Sequence, residues 1–249
     1  MCNLSDADRG IGTKVALRPR RLRLQSKPSA QTETDIIMIT ISVVYFSGSG
    51  HTAKMAEAVA RGAAVNGAKV NLLAIRGEEI NQGRYANDAL LAQLDASDAI
   101  IFGSPTYMGG PAAQFKALAD ATGERWYLRK WTDKIAAGFT VSGGPSGDKL
   151  STLQYFFTLA MQHGMVWVGP NQLPTEDGVN RLCSYSGAMG QARQEEPELA
   201  PNPADKLTGE KLGERVALAA QRWNLALENL ETKAWAGTSP AEGKVLAAS

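Results

Sequence analysis

The chain has 249 residues, 44% of them hydrophobic, 20% charged and only 7% aromatic, with 26 Lys and Arg against 25 Asp and Glu. That length and apolar fraction suit one globular domain with a substantial core. A net charge of +1 gives no bulk attraction to nucleic acid or to an anionic membrane, so neither is an expected partner.

Cys2 and Cys183 are too few for a disulfide framework. Neither lies in a Cys-x-x-Cys pair or a Cys/His cluster, so no metal site is expected and a reducing cytoplasm is the expected compartment. His51 and His163 are the only histidines, so a hydrolase built on a Ser/His or Cys/His pair would have to use one of them.

The first 35 residues carry Arg9, Lys14, Arg18, Arg20, Arg21, Arg23 and Lys27 against Asp6, Asp8, Glu33 and Asp35, a basic arm ahead of a slightly acidic body. The arm has neither an apolar h-region nor a small-residue cleavage site. Residues 1–37 are expected to be a disordered extension or a translation-start artefact, since Met38 stands directly before the first strand; a transit peptide or phosphate-binding tail is the other reading.

The run Ile36 to Phe46 is broken by Thr40 and Ser42 and is far shorter than the roughly 20 residues of a membrane-spanning helix. It reads as a buried strand beginning at Ile39. A helix follows over His51 to Asn66, with Met55, Val59, Ala60 and Ala63 on one face. Val70 to Ile75 is a second strand near the sheet edge, 76–86 a loop, and Ala86 to Leu94 a short helix. Ala99 to Phe102 is a third strand, and Pro111 suits the first turn of a helix reaching Ala121. Lys134 to Val141, Lys149 to His163 and Met165 to Val168 read as strand, helix and strand. Residues 170–203 hold five prolines and three glycines without periodicity and read as a long loop. A helix from Pro203 to about Leu230 closes the domain, expected over residues 38–232, and 233–249 form a small-residue tail. Strands alternating with helices predict a parallel sheet covered on both faces.

Open α/β sheets bind ligands at the carboxyl ends of their strands. Three Gly-rich segments stand at such ends: Ser47-Gly-Ser-Gly-His-Thr52, Gly103-Ser-Pro-Thr-Tyr-Met-Gly-Gly110 and Ser142-Gly-Gly-Pro-Ser-Gly147. In the first, Ser47, Gly48, Ser49, Gly50, His51 and Thr52 join a strand directly to a helix, so backbone N–H groups, the helix start and three hydroxyls make an anion site. No lysine stands where a nucleoside triphosphate loop requires one, because Lys54 is already inside the helix. Gly48, Gly50 and Ala53 also match a loose dinucleotide pattern; the acidic residue expected on the ribose is missing, and Arg76 could meet a 2′-phosphate instead. A monophosphate held by N–H and O–H donors alone points to FMN. In the second segment Pro105, Thr106, Tyr107, Met108 and Gly109 stand where a flat ring could lie, with Tyr107 offering a π-face and Met108 a polarizable contact. Amides there would favour a reduced, anionic flavin.

These loops, together with Gln114-Phe-Lys to Gly123-Glu-Arg-Trp126 and His163-Gly-Met-Val-Trp-Val-Gly169, resemble the flavodoxin-like FMN proteins of the WrbA type, over about residues 39–230. The resemblance implies a flavodoxin-like doubly wound five-stranded parallel sheet in the order 2-1-3-4-5, bound FMN, and NAD(P)H:quinone oxidoreductase activity in a homo-oligomer, dimer or tetramer. It implies phosphate contacts at Ser47 to Thr52, ring contacts at Pro105 to Gly109, and further contacts at Val141, Ser142, Gly143, Gly144 and Ser146. His163 matches a histidine that approaches the flavin, often from a neighbouring subunit, and is expected with Tyr107 to be catalytic; Trp126 matches an aromatic wall of the substrate pocket. Pro145 stands where the family usually has glycine or threonine, and 170–203 departs from the usual sequence. The competing readings are a flavodoxin-type electron carrier or FMN-dependent regulator without NAD(P)H turnover, and an NADPH-dependent flavin, azo or nitro reductase.

Overall fold

The computed structural model describes residues 38–174 and 177–237. In chain order these form β1 (Thr40–Tyr45), α1 (His51–Ala63), β2 (Lys69–Ala74), a small hairpin of β3 (Ile80–Asn81) and β4 (Arg84–Tyr85), α2 (Asp88–Asp95) and β5 (Ala99–Tyr107). Then come β6 (Gly110–Pro111), α3 (Ala113–Ala121), α4 (Gly123–Tyr127), β7 (Ile135–Ser142), α5 (Lys149–Gln162), β8 (Val166–Trp167), β9 (Ala188–Gln191) and α6 (Pro203–Gly237). The main sheet runs β2-β1-β5-β7-β8 with parallel pairing throughout. This is the 2-1-3-4-5 order of a flavodoxin-like sheet.

Strands buried on both faces need near-continuous apolar runs, and alternate residues serve opposite cores. Ile41 and Val43 of β1, Ala99 and Ile101 of β5, and Phe139 and Val141 of β7 pack with α1 and α6. Val44, Ile100, Phe102 and Ala136 pack with α2, α3 and α5 on the other face. There the rings of Phe102, Phe115 and Phe156 form a buried cluster, with Phe115 and Phe156 centred 4.6 Å apart. Each contributes about 1.5–3 kcal/mol by leaving water. On the first face α1 and α6 touch backbone to backbone. A Cβ at Gly62 would strike the Glu210 carbonyl and one at Gly213 the Val59 carbonyl, so only glycine permits this spacing.

Several expected boundaries are corrected. The loop placed at 76–86 contains the β3–β4 hairpin, turned by Gln82 and Gly83 at φ of 49° and 79°; its two-residue strands are too short to show alternation. The third strand extends past Phe102 to Tyr107, because β6 returns antiparallel to it and satisfies its end. Pro111 therefore lies in β6 and the helix begins at Ala113. The loop placed at 170–203 contains β9, which pairs with Phe139–Ser142 while β8 pairs with Ile135–Ala136. The edge strand is thus built in two pieces. Ala188-Met-Gly-Gln191 gave no β-branched signal because Gly190 must lie close to Val141 and Pro201. The last helix continues to Gly237, into the segment expected as tail. The basic arm of 1–37 and residues 238–249 lie outside the described residues.

Candidate functional site

The carboxyl ends of β1, β5 and β7 adjoin in the sheet, with Tyr45 beside Gly103 and Pro105 beside Val141. The three Gly-rich segments therefore open at one edge. In the first, Gly50 takes φ of 92° just before α1, a left-handed turn that glycine adopts without steric cost. Gly50 has no side chain to cap the helix, and Ser47 does so instead: its Oγ accepts from the amides of Gly50 and Ala53, both at 3.1 Å. Its own hydroxyl proton is left for an anion. The first-turn amides of His51 and Thr52 have no partner within the helix. Gly48 and Ser49 are exposed, whereas the Thr52 side chain is buried, so the expected hydroxyl contribution comes from Ser47 and Ser49. His51 turns aside: its Nε2 lies 2.7 Å from the Glu195 carbonyl and its Nδ1 3.0 Å from Ser49 Oγ. A carbonyl only accepts, so Nε2 carries the proton and, in the neutral ring, the Ser49 hydroxyl donates to Nδ1. Lys54 points to Glu57 and Glu198 at 3.7 and 3.6 Å, and no cationic side chain enters the loop sequence itself.

The second segment is held from beneath. Ser104 Oγ donates to the Pro105 carbonyl and accepts from the Ala112 amide, each at 2.9 Å. Thr106 Oγ1 is 2.8 Å from both Thr140 and Thr152 hydroxyls in the buried layer, so only its backbone is available to a ligand. Tyr107, Met108 and Gly109 are exposed at the hairpin tip, with Met108 wholly so at φ of 47°. Tyr107 reaches back over the first segment: a Cβ built on Gly48 would lie 2.5 Å from its hydroxyl. The Tyr107 hydroxyl thus rests on Gly48, a contact that a side chain at position 48 would displace.

The third segment carries a feature the sequence reading missed. Every carbonyl from Ser142 to Ser146 is taken by the protein. Ser142 accepts from the Ala192 amide at 3.0 Å, Gly143 from Gln191 Nε2 at 3.2 Å, and Ser146 from the Lys149 amide at 3.2 Å. Gly144 and Pro145 accept from Lys149 Nζ at 2.5 and 3.1 Å, and Ser142 Oγ accepts from the same ammonium at 3.0 Å. Lys149 is wholly buried at the first position of α5. Burial pushes its ammonium down to about 8; Asp205 works against this and Arg181 adds to it. A cation at a helix N-terminus opposes the helix dipole, and that misplacement was the available signal for Lys149. Val141 is buried beneath the segment, while Gly143 and Ser146 are exposed.

The two remaining expected residues lie elsewhere. α5 runs back along β7, and its 14 residues carry His163 about 21 Å from the segment ends. His163 is 2% exposed, its Nε2 2.9 Å from Thr122 Oγ1 and its ring stacked on Trp131 with centroids 4.4 Å apart. Burial first, then Arg129, pushes its imidazole down to about 4, against the pull of Asp95. Within one chain His163 therefore lies away from the crevice, because the antiparallel helix delivers it to the opposite edge of the sheet. Trp126 is exposed on α4 and lines a cleft of about 550 Å³ together with His163, Thr122 and Tyr155. Among the described residues no group of three or more His, Cys, Asp or Glu could hold a metal, and no helix is long and apolar enough to cross a membrane.

A sequence profile described as NADPH-dependent FMN reductase matches residues 41–179, more than half of the chain. The chain belongs to this family. Among relatives of this FMN reductase family member, flavodoxin FldP of Pseudomonas aeruginosa is 37% identical over 186 residues, 72% of this chain and 96% of that protein. An NAD(P)H dehydrogenase (quinone) of Archaeoglobus fulgidus is 33% identical over 202 residues, 74% of this chain and 99% of that protein. A solved flavodoxin, a WrbA-like protein from Agrobacterium tumefaciens, is 43% identical and superposes with a TM-score of 0.58 over 74% of this chain and 98% of its own. The protein is a flavodoxin-like FMN oxidoreductase. FMN fits the residues present: the first-turn amides of His51 and Thr52 beside the Ser47 hydroxyl suit a phosphate, and the glycine-rich turns of the other two segments, at the same sheet edge, suit a flat polar ring.

Proposed function

We propose that this FMN reductase family member passes two electrons from NAD(P)H to a quinone, as a homo-oligomer in the cytoplasm. The observation that carries this reading is the meeting of three donor-rich segments at one sheet edge, the first without a countercharge. FMN, when bound, would supply hydride acceptance from the nicotinamide and delivery of two electrons to the quinone in turn, a ping-pong sequence. The chain's own part is to bind and orient. Ser47, Gly48, Ser49, Gly50, His51 and Thr52 hold the phosphate through backbone amides and the Ser47 hydroxyl, which the Ser49 hydroxyl joins on leaving His51 Nδ1. Pro105 to Gly109, with Val141 to Gly144 and Ser146, flank the ring, and Tyr107 covers the crevice from its mouth, excluding water. Trp126, which shares with His163 the cleft at the far end of α5, serves as a wall of a second copy's site. The quinone assignment draws on the relative from Archaeoglobus fulgidus, and the cytoplasm on two cysteines that make no disulfide framework.

A carrier that exchanges electrons with proteins and does not turn over NAD(P)H is the second reading, favoured by the relative named as a flavodoxin. Anaerobic stopped-flow separates the two. Rapid bleaching of the FMN-loaded protein by NADH or NADPH, reversed by benzoquinone, is the expected result. No bleaching within minutes overturns the enzyme in favour of the carrier.

A further inference from the structure

A buried ammonium that spends its donors on its own loop needs an explanation. Lys149 occupies a helix start where the dipole disfavours it, and burial of a charge costs free energy unless it is paired or hydrogen-bonded. Its three partners are all in the third segment: Ser142 Oγ, the Gly144 carbonyl and the Pro145 carbonyl. In a trans peptide the N–H points opposite the preceding C=O. With the carbonyls of Ser142, Gly143, Pro145 and Ser146 bonded within the protein, the amides of Gly143, Gly144, Ser146 and Gly147 point the opposite way, and the ammonium sets the Ser146 amide directly through the Pro145 carbonyl. Among the described residues none of these four amides meets an acceptor. Pro145 has no N–H to lose, which suits the one peptide in the run that presents no donor. The remaining carbonyls are fixed by β9 through Gln191 and Ala192, so the split edge strand and the lysine act on the same loop.

Resting on the FMN reading above, we propose that Lys149 is a positioning residue that presets the third segment as an array of outward amides for the electron-rich edge of the reduced ring, with its own positive charge behind them. Removing the ammonium would free two carbonyls to turn outward and would take away a cation that favours an anionic ring over a neutral one. Binding of FMN should weaken, and binding of the reduced form should weaken more.

The charged groups around the ammonium are Asp205 from α6, Arg181 from the segment between β8 and β9, and Asp148 at the start of its own helix. Arg181 is held in a fork by Asp205 at 2.7 and 2.8 Å. The ammonium's lowered range, near 8, means that it loses its proton on mild alkalinisation. A neutral amine has two N–H bonds for three acceptors, so the array loosens as pH rises. Cys183 lines the neighbouring cleft with Arg181, and a Cys183→Ser background removes its thiol from the comparison.

The test uses the full chain in that background, with and without Lys149→Met, and with Lys149→Arg as a variant that keeps the charge. FMN affinity is followed by fluorescence quenching from pH 7 to 9, and the two-electron potential by equilibration with a reference dye. With Lys149 present, affinity should fall as pH rises through about 8, by about tenfold. Lys149→Met should bind FMN about tenfold more weakly at pH 7 and show no such fall. Its preference for reduced over oxidised FMN should also drop about tenfold, equivalent to about 30 mV for a two-electron couple. Lys149→Arg should keep the potential. A flat pH profile in the parent overturns the proposal even if Lys149→Met does not fold, and so does a Lys149→Met protein with unchanged affinity and potential. If the parent binds no FMN at all, the functional reading itself fails, a result distinct from either.

Discussion

His163 provides a test of the fold that is independent of any ligand. Its imidazole is almost completely buried, bonded to Thr122 and stacked on Trp131, and burial holds it down to about 4 from an ordinary 6.5. The folded protein therefore keeps the ring neutral while the unfolded chain takes up a proton below about pH 6.5. Proton uptake by the unfolded state makes stability rise with pH in this window. The contribution is fully present above pH 6.5 and is lost as pH falls toward 4. A full shift of that size is worth about 3 kcal/mol, of which about 2 kcal/mol is lost between pH 7 and pH 5. Urea unfolding at both pH values, on the parent and on His163→Gln, isolates this share because His51 and the carboxylates are common to both. The parent should lose about 2 kcal/mol more than the variant on going to pH 5. Equal losses in the two proteins would refute the burial of a neutral ring at this position.

Two further substitutions probe the crevice and the helix pair. Ser49→Asp places a carboxylate on the exposed tip of the first segment; FMN affinity should fall about 100-fold or more with circular dichroism unchanged, and a variant that purifies yellow would contradict the phosphate placement. Gly62→Ala inserts a methyl group against the Glu210 carbonyl and should cost about 1–3 kcal/mol in urea unfolding, whereas an unchanged midpoint would mean that α1 and α6 separate without cost.

The strands were legible because burial on both faces demands apolar runs, and Ile41, Val43, Ile100 and Phe102 leave little other use for their segments. The three donor-rich segments were legible because glycines and hydroxyls follow directly on those strands. What escaped notice depended on tertiary contact. Ala188 to Gln191 forms a strand with small residues because Gly190 fits against Val141 and Pro201, and no local pattern records that. Lys149 looks like an ordinary surface cation at a helix start, yet the carbonyls of Gly144 and Pro145 surround it. His163 and Trp126 lie on the expected elements but at the opposite edge of the sheet from the crevice of their own chain, a placement set by the antiparallel run of α5 and by no local pattern. Thr106 was expected beside the ring and is there through its backbone, while its hydroxyl joins Thr140 and Thr152 in a buried cluster that no spacing in the sequence reveals.

Titration of the apoprotein with FMN and with riboflavin tests most directly whether a phosphate is seated at the start of α1 without a countercharge. FMN should bind at least about 100-fold more tightly than riboflavin, roughly the worth of two charge-assisted hydrogen bonds, and Ser47→Ala should narrow that gap. Equal affinities for the two ligands, or a gap that Ser47→Ala leaves untouched, would contradict it.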